Sequence, residues 1–202
     1  MMKGMIQIMV NAGAESTALR NAPTKGTSVM TPTLVLPAPE HEAAALAYRQ
    51  EHYANGEPRI NGSSAMHQFD NYADWLAQSQ IESAFTNKEG YKLVPATTYF
   101  AMLGEKVVGT VQIRHELNEY LSQVGGHIGY SIAPSERGKG YGNAQLTLAL
   151  EKARMLGLLR VMITCNSDNI ASARTILRNG GVHDSDFTED DGTIVQRYWI
   201  EP

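Results

Sequence analysis

The stretch Ile128-Gly-Tyr-Ser-Ile-Ala-Pro-Ser-Glu-Arg-Gly-Lys-Gly-Tyr-Gly142 decides the fold. A short apolar run ends at Pro134, passes through a turn in which Gly138, Gly140 and Gly142 alternate, and opens into a helical run from Asn143 to Gly157. Strand, glycine-rich turn and helix in that order leave backbone N–H groups exposed at a helix N-terminus, where partial positive charge gathers. The expected result is a cradle for phosphate oxygens.

Two other phosphate cradles are excluded by their residues. The nucleoside-triphosphate loop needs Lys followed by Ser or Thr, and Lys139 is followed by Gly140 and Tyr141, with no hydroxyl for magnesium. The dinucleotide fingerprint needs Gly-x-Gly-x-x-Gly and an acidic residue closing a following strand, and neither is present. What remains is Arg137-x-x-Gly140-x-Gly142, which resembles the acetyl-CoA pyrophosphate loop, Gln/Arg-x-x-Gly-x-Gly/Ala, of the GNAT acetyltransferase superfamily. A second element resembles the same family. Strand Val161 to Asn166 is followed by Asp168-Asn169-Ile-Ala-Ser172, similar to the family's Asn-x-x-Ala/Ser helix start, whose asparagine amide reaches the pantetheine arm. Read from the residues alone, Asp168 or Asn169 would serve equally as an ordinary helix cap.

Composition sets the frame. The chain has 202 residues, 43% hydrophobic and 19% charged, enough for one sizeable core and too few for two comfortable domains. A net charge of -4 leaves no basic footprint for nucleic acid and mildly favours cationic acceptors. The single cysteine, Cys165, excludes an intrachain disulfide and a cysteine zinc cluster, so no metal is expected. It lies in an apolar strand and reads as a buried small hydrophobe rather than a reactive thiol. No apolar run approaches the ~20 residues of a membrane span, and Met1 to Val10, short and interrupted by Gln7, is not expected to be a signal peptide. A cytoplasmic protein with no membrane or nucleic-acid partner is expected.

Outward from the glycine turn, residues 1–31 read as a flexible extension and 32–202 as the folded domain. Thr33 to Leu36 is an expected strand. A helix is expected from Pro39 to about Tyr53, ended by Asn55-Gly56, and a second from Asp70 or Asn71 to about Ala84 with Trp75, Leu76 and Ile81 on one side. Thr97 to Leu103 and Val107 to Arg114 read as a hairpin, and His115 to Gln123 as a short helix or ordered loop before strand His127 to Ile132. The helix after the glycine turn places Leu146, Ala149, Leu150, Ala153 and Leu156 on a packing face. Strands Val182 to Phe187 and Thr193 to Ile200 close a hairpin at Glu189-Asp-Asp-Gly192, a turn rather than a metal site.

The resemblance implies an α/β fold of GNAT type: a mixed, mostly antiparallel sheet with a central parallel, splayed strand pair, flanked by helices. It implies acetyl-CoA as co-substrate, a small-molecule or peptide amine as acceptor, and direct transfer in a ternary complex; a homodimer through a sheet edge would be unsurprising. Pyrophosphate would meet Arg137, Gly138, Lys139, Gly140, Tyr141 and Gly142, and the pantetheine arm would meet Ile132, Pro134, Asn169 and Ser172. Acceptor pockets in this family are built from the early helices and final hairpin, here about Glu51 to Ala84 and Asp186 to Tyr198, and the polar segment Arg114 to Tyr120 is the best place to look for acceptor contacts.

Two departures bear on catalysis. The family carboxylate near the start of the strand falls on Gly126, so His127 is the nearest substitute base, with His115, Glu116 and Glu119 behind it. Equally, His127 reads as a hydrogen-bonded strand residue. The tyrosine expected seven residues after Asn169 is Ile176, which leaves Tyr130, Ser172, Tyr198 or a water to protonate the thiolate, or no enzymic acid. Ile176 also motivates a rival reading, a non-catalytic acyl-CoA-binding or sensor module. A third is another phosphate-binding protein using the same loop.

Overall fold

A computed structural model describes residues 30–80, 85, 86, 90 and 92–202. Most of the expected extension, residues 1–29, lies outside the described residues, as do Ile81 and Ala84. The elements in chain order are β1 (Thr33–Val35), α1 (Glu42–Ala54), α2 (Tyr72–Gln78), β2 (Phe85–Thr86), β3 (Lys92–Leu93), β4 (Ala96–Leu103), β5 (Lys106–Arg114), β6 (Ile128–Ile132), α3 (Tyr141–Met155), β7 (Val161–Asn166), α4 (Ile170–Arg178), β8 (Val182–Thr188) and β9 (Ile194–Ile200).

Two antiparallel sheets carry the domain, one in the order β1-β4-β5-β6 and one in the order β7-β9-β8, beside a small β2-β3 pair. The strands β4 and β5 are buried along nearly their whole length because helices cover both faces. On one face Tyr48, Trp75, Phe100, Met102 and Val107 form a core under α1 and α2. Trp75 stacks on Phe100 at 5.5 Å, and its Nε1 donates to Ser63 O at 2.8 Å, so its polar end is satisfied in the interior. On the other face Tyr99, Val111, Ile113 and Ile128 meet Leu146, Ala149, Leu150 and Ala153 of α3 and Ile176 of α4.

The expected elements are recovered with two differences. Leu156 is the C-cap of α3 and is exposed, because Gly157 at φ +85 takes the left-handed position that ends the helix. The early helix α2 stops at Gln78, short of the expected Ala84. Past it, the Gln80 side chain pairs with the edge of β4, donating to Thr98 O and accepting from Thr98 N, both at 3.0 Å. A side-chain amide thus satisfies a backbone rung, and continuing the helix would forfeit it. Cys165 is buried as expected.

The sheets meet where β6 and β7 begin. His127 N donates to Met162 O at 2.7 Å, and no ladder joins β6 to β7 beyond that rung among the described residues. The connection through α3 is a strand-helix-strand crossover, the arrangement of a parallel pair. Past their starts the two strands belong to different sheets, which leaves one edge of β6 unpaired. In the antiparallel ladder with β5, Ala133 N donates to Val108 O and Arg114 N to His127 O. Alternation along that ladder turns the backbone groups of Tyr130 and Ile132 toward the unpaired edge.

Candidate active site

The loop between β6 and α3 is held from beneath by Glu51, Glu57 and Lys106. Ser135 N donates to Glu51 Oε1 at 2.6 Å, which ties the turn after Pro134 to the end of α1. Arg137 closes on Glu57 through Nη1 to Oε1 at 2.6 Å and Nη2 to Oε2 at 2.5 Å, and its Nε donates to Ile132 O at 3.1 Å. Glu136 takes Lys106 at 2.5 Å and Lys139 at 2.9 Å. The Arg137 guanidinium holds the Glu57 carboxyl down to about 2, and the two lysines hold Glu136 below the usual carboxylate range. The two cations expected to face pyrophosphate, Arg137 and Lys139, are therefore already answered by acids.

What the loop presents outward is backbone. Gly138 at φ +76 and Gly140 at φ +88 adopt the left-handed conformation, and a Cβ built on either would meet no atom within 4 Å. No side chain caps the N-terminus of α3. The N–H groups of Tyr141, Gly142 and Asn143 are the orphan donors of that first turn, and among the described residues they have no acceptor. Residues Arg137 to Gly140 are exposed. Open space, uncapped donors and a helix dipole fit an anion of pyrophosphate size.

Across the gap, Asn169 caps α4. Its Oδ1 accepts from Ser172 N at 3.0 Å, leaving Nδ2 without a partner among the described residues. The Ser172 hydroxyl meets Tyr130 OH at 2.9 Å, so the two strands are bridged there by side chains. Burial raises the Tyr130 phenol to about 12, which keeps it protonated. Ile176 is fully buried in the α3 core where a tyrosine was expected. The second glycine of Gly180-Gly181 has a steric cause: a Cβ on Gly181 would lie 2.5 Å from Ile176 Cγ2 and 2.9 Å from its carbonyl oxygen.

Four of the residues named as candidates for catalysis, His127, His115, Glu119 and Tyr130, have different surroundings. His127 is buried, and its Nδ1 accepts from Met162 N at 2.9 Å. That lone pair is occupied, the remaining nitrogen carries the proton, and burial with the nearby Arg114 charge lowers the pKa. As folded, His127 has no basic nitrogen to offer an amine. His115 is half-buried with Nε2 on Thr97 Oγ1 at 2.9 Å, and burial lowers its pKa as well. Glu119 is exposed, and Tyr130 is in the gap.

Sequence reasoning missed Glu57, which no motif marks because its partner lies far along the chain. It also missed a polar knot beneath β6: Tyr48 OH meets Ser131 Oγ at 2.8 Å, Ser131 Oγ donates to Asn61 O at 2.7 Å, and Gln145 Nε2 donates to Thr110 O at 2.8 Å. The knot fixes the face of β6 opposite Tyr130.

A splayed strand pair with an uncapped glycine turn at the mouth defines a class, and the sequence profile of the acetyltransferase (GNAT) domain matches residues 33–182. The chain belongs to the GNAT acetyltransferase family. Among solved structures it is similar to the microcin C7 self-immunity acetyltransferase MccE in complex with acetyl-CoA and AMP, at 20% identity and TM-score 0.60, covering 85% of this chain and 93% of that one. The ribosomal L7/L12 alpha-N-protein acetyltransferase RimL in complex with coenzyme A is similar at 19% identity and TM-score 0.60, covering 85% and 94%. An acetyltransferase from Salmonella typhimurium that modifies the N-terminal serine of L7/L12 is similar at 20% identity and TM-score 0.56, covering 86% and 97%. At such identities these are likenesses of fold. No curated protein matches the sequence significantly.

Proposed function

We propose that this protein is an acetyl-CoA-dependent N-acetyltransferase that moves an acetyl group to a primary amine by direct transfer in a ternary complex. The observation that carries the reading is the loop Arg137 to Gly142, whose acids and bases neutralise one another below while its backbone donors stay open above. In this reading Gly138, Lys139, Gly140, Tyr141 and Gly142 bind pyrophosphate through N–H groups, and Arg137 orients the loop. The backbone at Ile132 and Pro134 and the free amide of Asn169 receive the pantetheine arm as an added strand would be received.

The chemistry then falls to few groups. The backbone N–H of Tyr130 lies on the unpaired edge and serves as donor to the oxyanion that develops on the thioester. Its phenol, kept neutral and fixed by Ser172, donates a hydrogen bond to the departing thiolate in place of the missing tyrosine. The acceptor amine must lose a proton before it can attack. His115 takes that role in preference to His127, because its Nδ1 makes no hydrogen bond among the described residues and burial keeps the ring neutral at neutral pH. Direct transfer accords with the buried Cys165, whose thiol burial pushes up.

Ile176 favours one second reading, a module that binds acyl-CoA without turnover. Calorimetric titration with CoA tests what both share: the native chain binds and Gly140→Asp does not. Equal affinity in the two would assign the loop to another ligand.

A further inference from the structure

The last residue of β5 carries a charge that the protein leaves unanswered. Arg114 Nη1 donates to the carbonyl oxygens of Gly125 at 2.9 Å and Gly126 at 3.0 Å. A guanidinium has further donors at Nε and Nη2, and here these find no acceptor among the described residues. The ion pairs of the described residues include Arg137, Lys106 and Lys139 but not Arg114. Burial pushes the Arg114 guanidinium down to about 10, with no neighbouring carboxylate to offset it. A partly buried cation with no carboxylate beside it is costly to a fold.

Backbone packs closely beside it. Arg114 Nη2 lies 3.3 Å from where a Cβ on Gly129 would stand, so the absence of a side chain at Gly129 gives the guanidinium its place over β6. The loop above adds a second glycine: a Cβ on Gly62, at φ +73, would come within 2.2 Å of Gly129 O. Beyond the next residue, Ser64 and Ala65 hold φ of 50 and 53, a left-handed conformation that residues with a Cβ rarely adopt and that gathers at functional sites. Arg114 sits at the start of β6, whereas the glycine loop proposed for the CoA phosphates follows its end, so the phosphates do not account for this charge.

We infer that Arg114 is the anion subsite of the acceptor pocket, and that the acceptor is a primary amine bearing a carboxylate. The planar fork of Nε and Nη2 matches a carboxylate through two parallel hydrogen bonds. Gly129 and Ser131 are two residues apart on one face, about 7 Å along the strand. A carboxylate held by Arg114 would therefore set the amine of a compact amino acid or acidic peptide beside the Tyr130–Ile132 backbone. The net charge of -4 gives no general attraction for anions, so selection for a carboxylate has to be local.

This inference rests on the acetyltransferase reading, and its test separates the two. Release of CoA thiol from acetyl-CoA is followed with glutamate, 4-aminobutyrate and an aspartyl dipeptide, each beside its methyl ester. The native enzyme should prefer at least one acid over its ester by tenfold or more in kcat/KM, the dipeptide arm telling a peptide acceptor from a free amino acid. Arg114→Gln should erase the preference through KM, with CoA affinity and melting temperature little changed, and Arg114→Lys should keep part of it. Equal use of acids and esters by the native enzyme, or an equal loss on both in Arg114→Gln, overturns the subsite. Should Arg114→Gln fail to fold, Arg114→Lys is read in its place. If the native protein binds CoA and acetylates no amine, the acetyltransferase reading fails. Titration of glutamate into the CoA-saturated protein then decides the subsite, with binding weakened at least tenfold in Arg114→Gln supporting it and equal or absent binding overturning it.

Discussion

His127 holds Met162 by both of its polar backbone groups: the His127 N–H donates to Met162 O at 2.7 Å, and the His127 ring accepts from Met162 N at 2.9 Å. The ring thus supplies the rung that the diverging strand cannot, and it fixes the point from which β6 and β7 separate. His127→Ala leaves a buried N–H without an acceptor, a loss of about 1–3 kcal/mol. Thermal unfolding should show it as a lower melting temperature, while the pH dependence of kcat/KM keeps its shape. A vanished acid limb with an unchanged melting temperature would return the histidine to catalysis.

Stability should fall as the solution is acidified. Burial lowers the pKa of His52, His67, His115 and His127 in the folded chain. Above about 6.5 these rings are neutral whether folded or not, and the fold keeps its full stability. Below that value the unfolded chain takes up protons that the folded one resists, so stability drops until the folded pKa values are reached. Glu57 adds a lower window, from 4.5 toward 2, in which its carboxylate is lost to protonation. Melting temperature should stay level from pH 7.5 to about 6.5 and decline from there to pH 5. A flat or rising curve would contradict the neutral state of these rings.

The paired charges of the glycine loop predict a non-additive response. Arg137→Ala exposes Glu57 next to the phosphate cradle and should weaken CoA binding about tenfold or more. Adding Glu57→Gln should recover part of the loss, because the repelling carboxylate is gone. Lys139→Ala, whose side chain is about half exposed, should cost no more than about threefold. Equal affinity for the single and double variants, measured calorimetrically, would show that Arg137 meets the phosphates directly.

How much of this could be read beforehand depends on sequence separation. The glycine loop, the helix start at Asn169 and the packing face of α3 up to Ala153 are local patterns, and each lies where the sequence puts it. The end of α2 was not legible, because Gln80 is drawn off the helix by the edge of β4. Neither was the engagement of Arg137, since the motif identifies the arginine but the residue that claims it, Glu57, sits in an unpatterned loop. The substitution at Ile176 was visible as a departure, and the reason that Gly181 follows it is visible only in the contact between them.

Tyr130→Phe removes the phenol while keeping the ring in the gap. It should lower kcat about a hundredfold or more with little change in CoA affinity, the contribution of one general acid. An unaltered kcat would leave the thiolate to depart without help from this residue. His115→Ala acts on the other proton and should flatten the acid limb of the kcat/KM profile.

The most direct test of the central claim is the release of free CoA from acetyl-CoA across a panel of amines, followed for the native chain and for Gly140→Asp together. The native chain should release thiol with at least one primary amine, and Gly140→Asp should release none above background, since a side chain at φ +88 both strains the turn and sets an anion where phosphate is expected. No release with any amine from a native chain that still binds CoA, or equal release from both chains, would contradict the account.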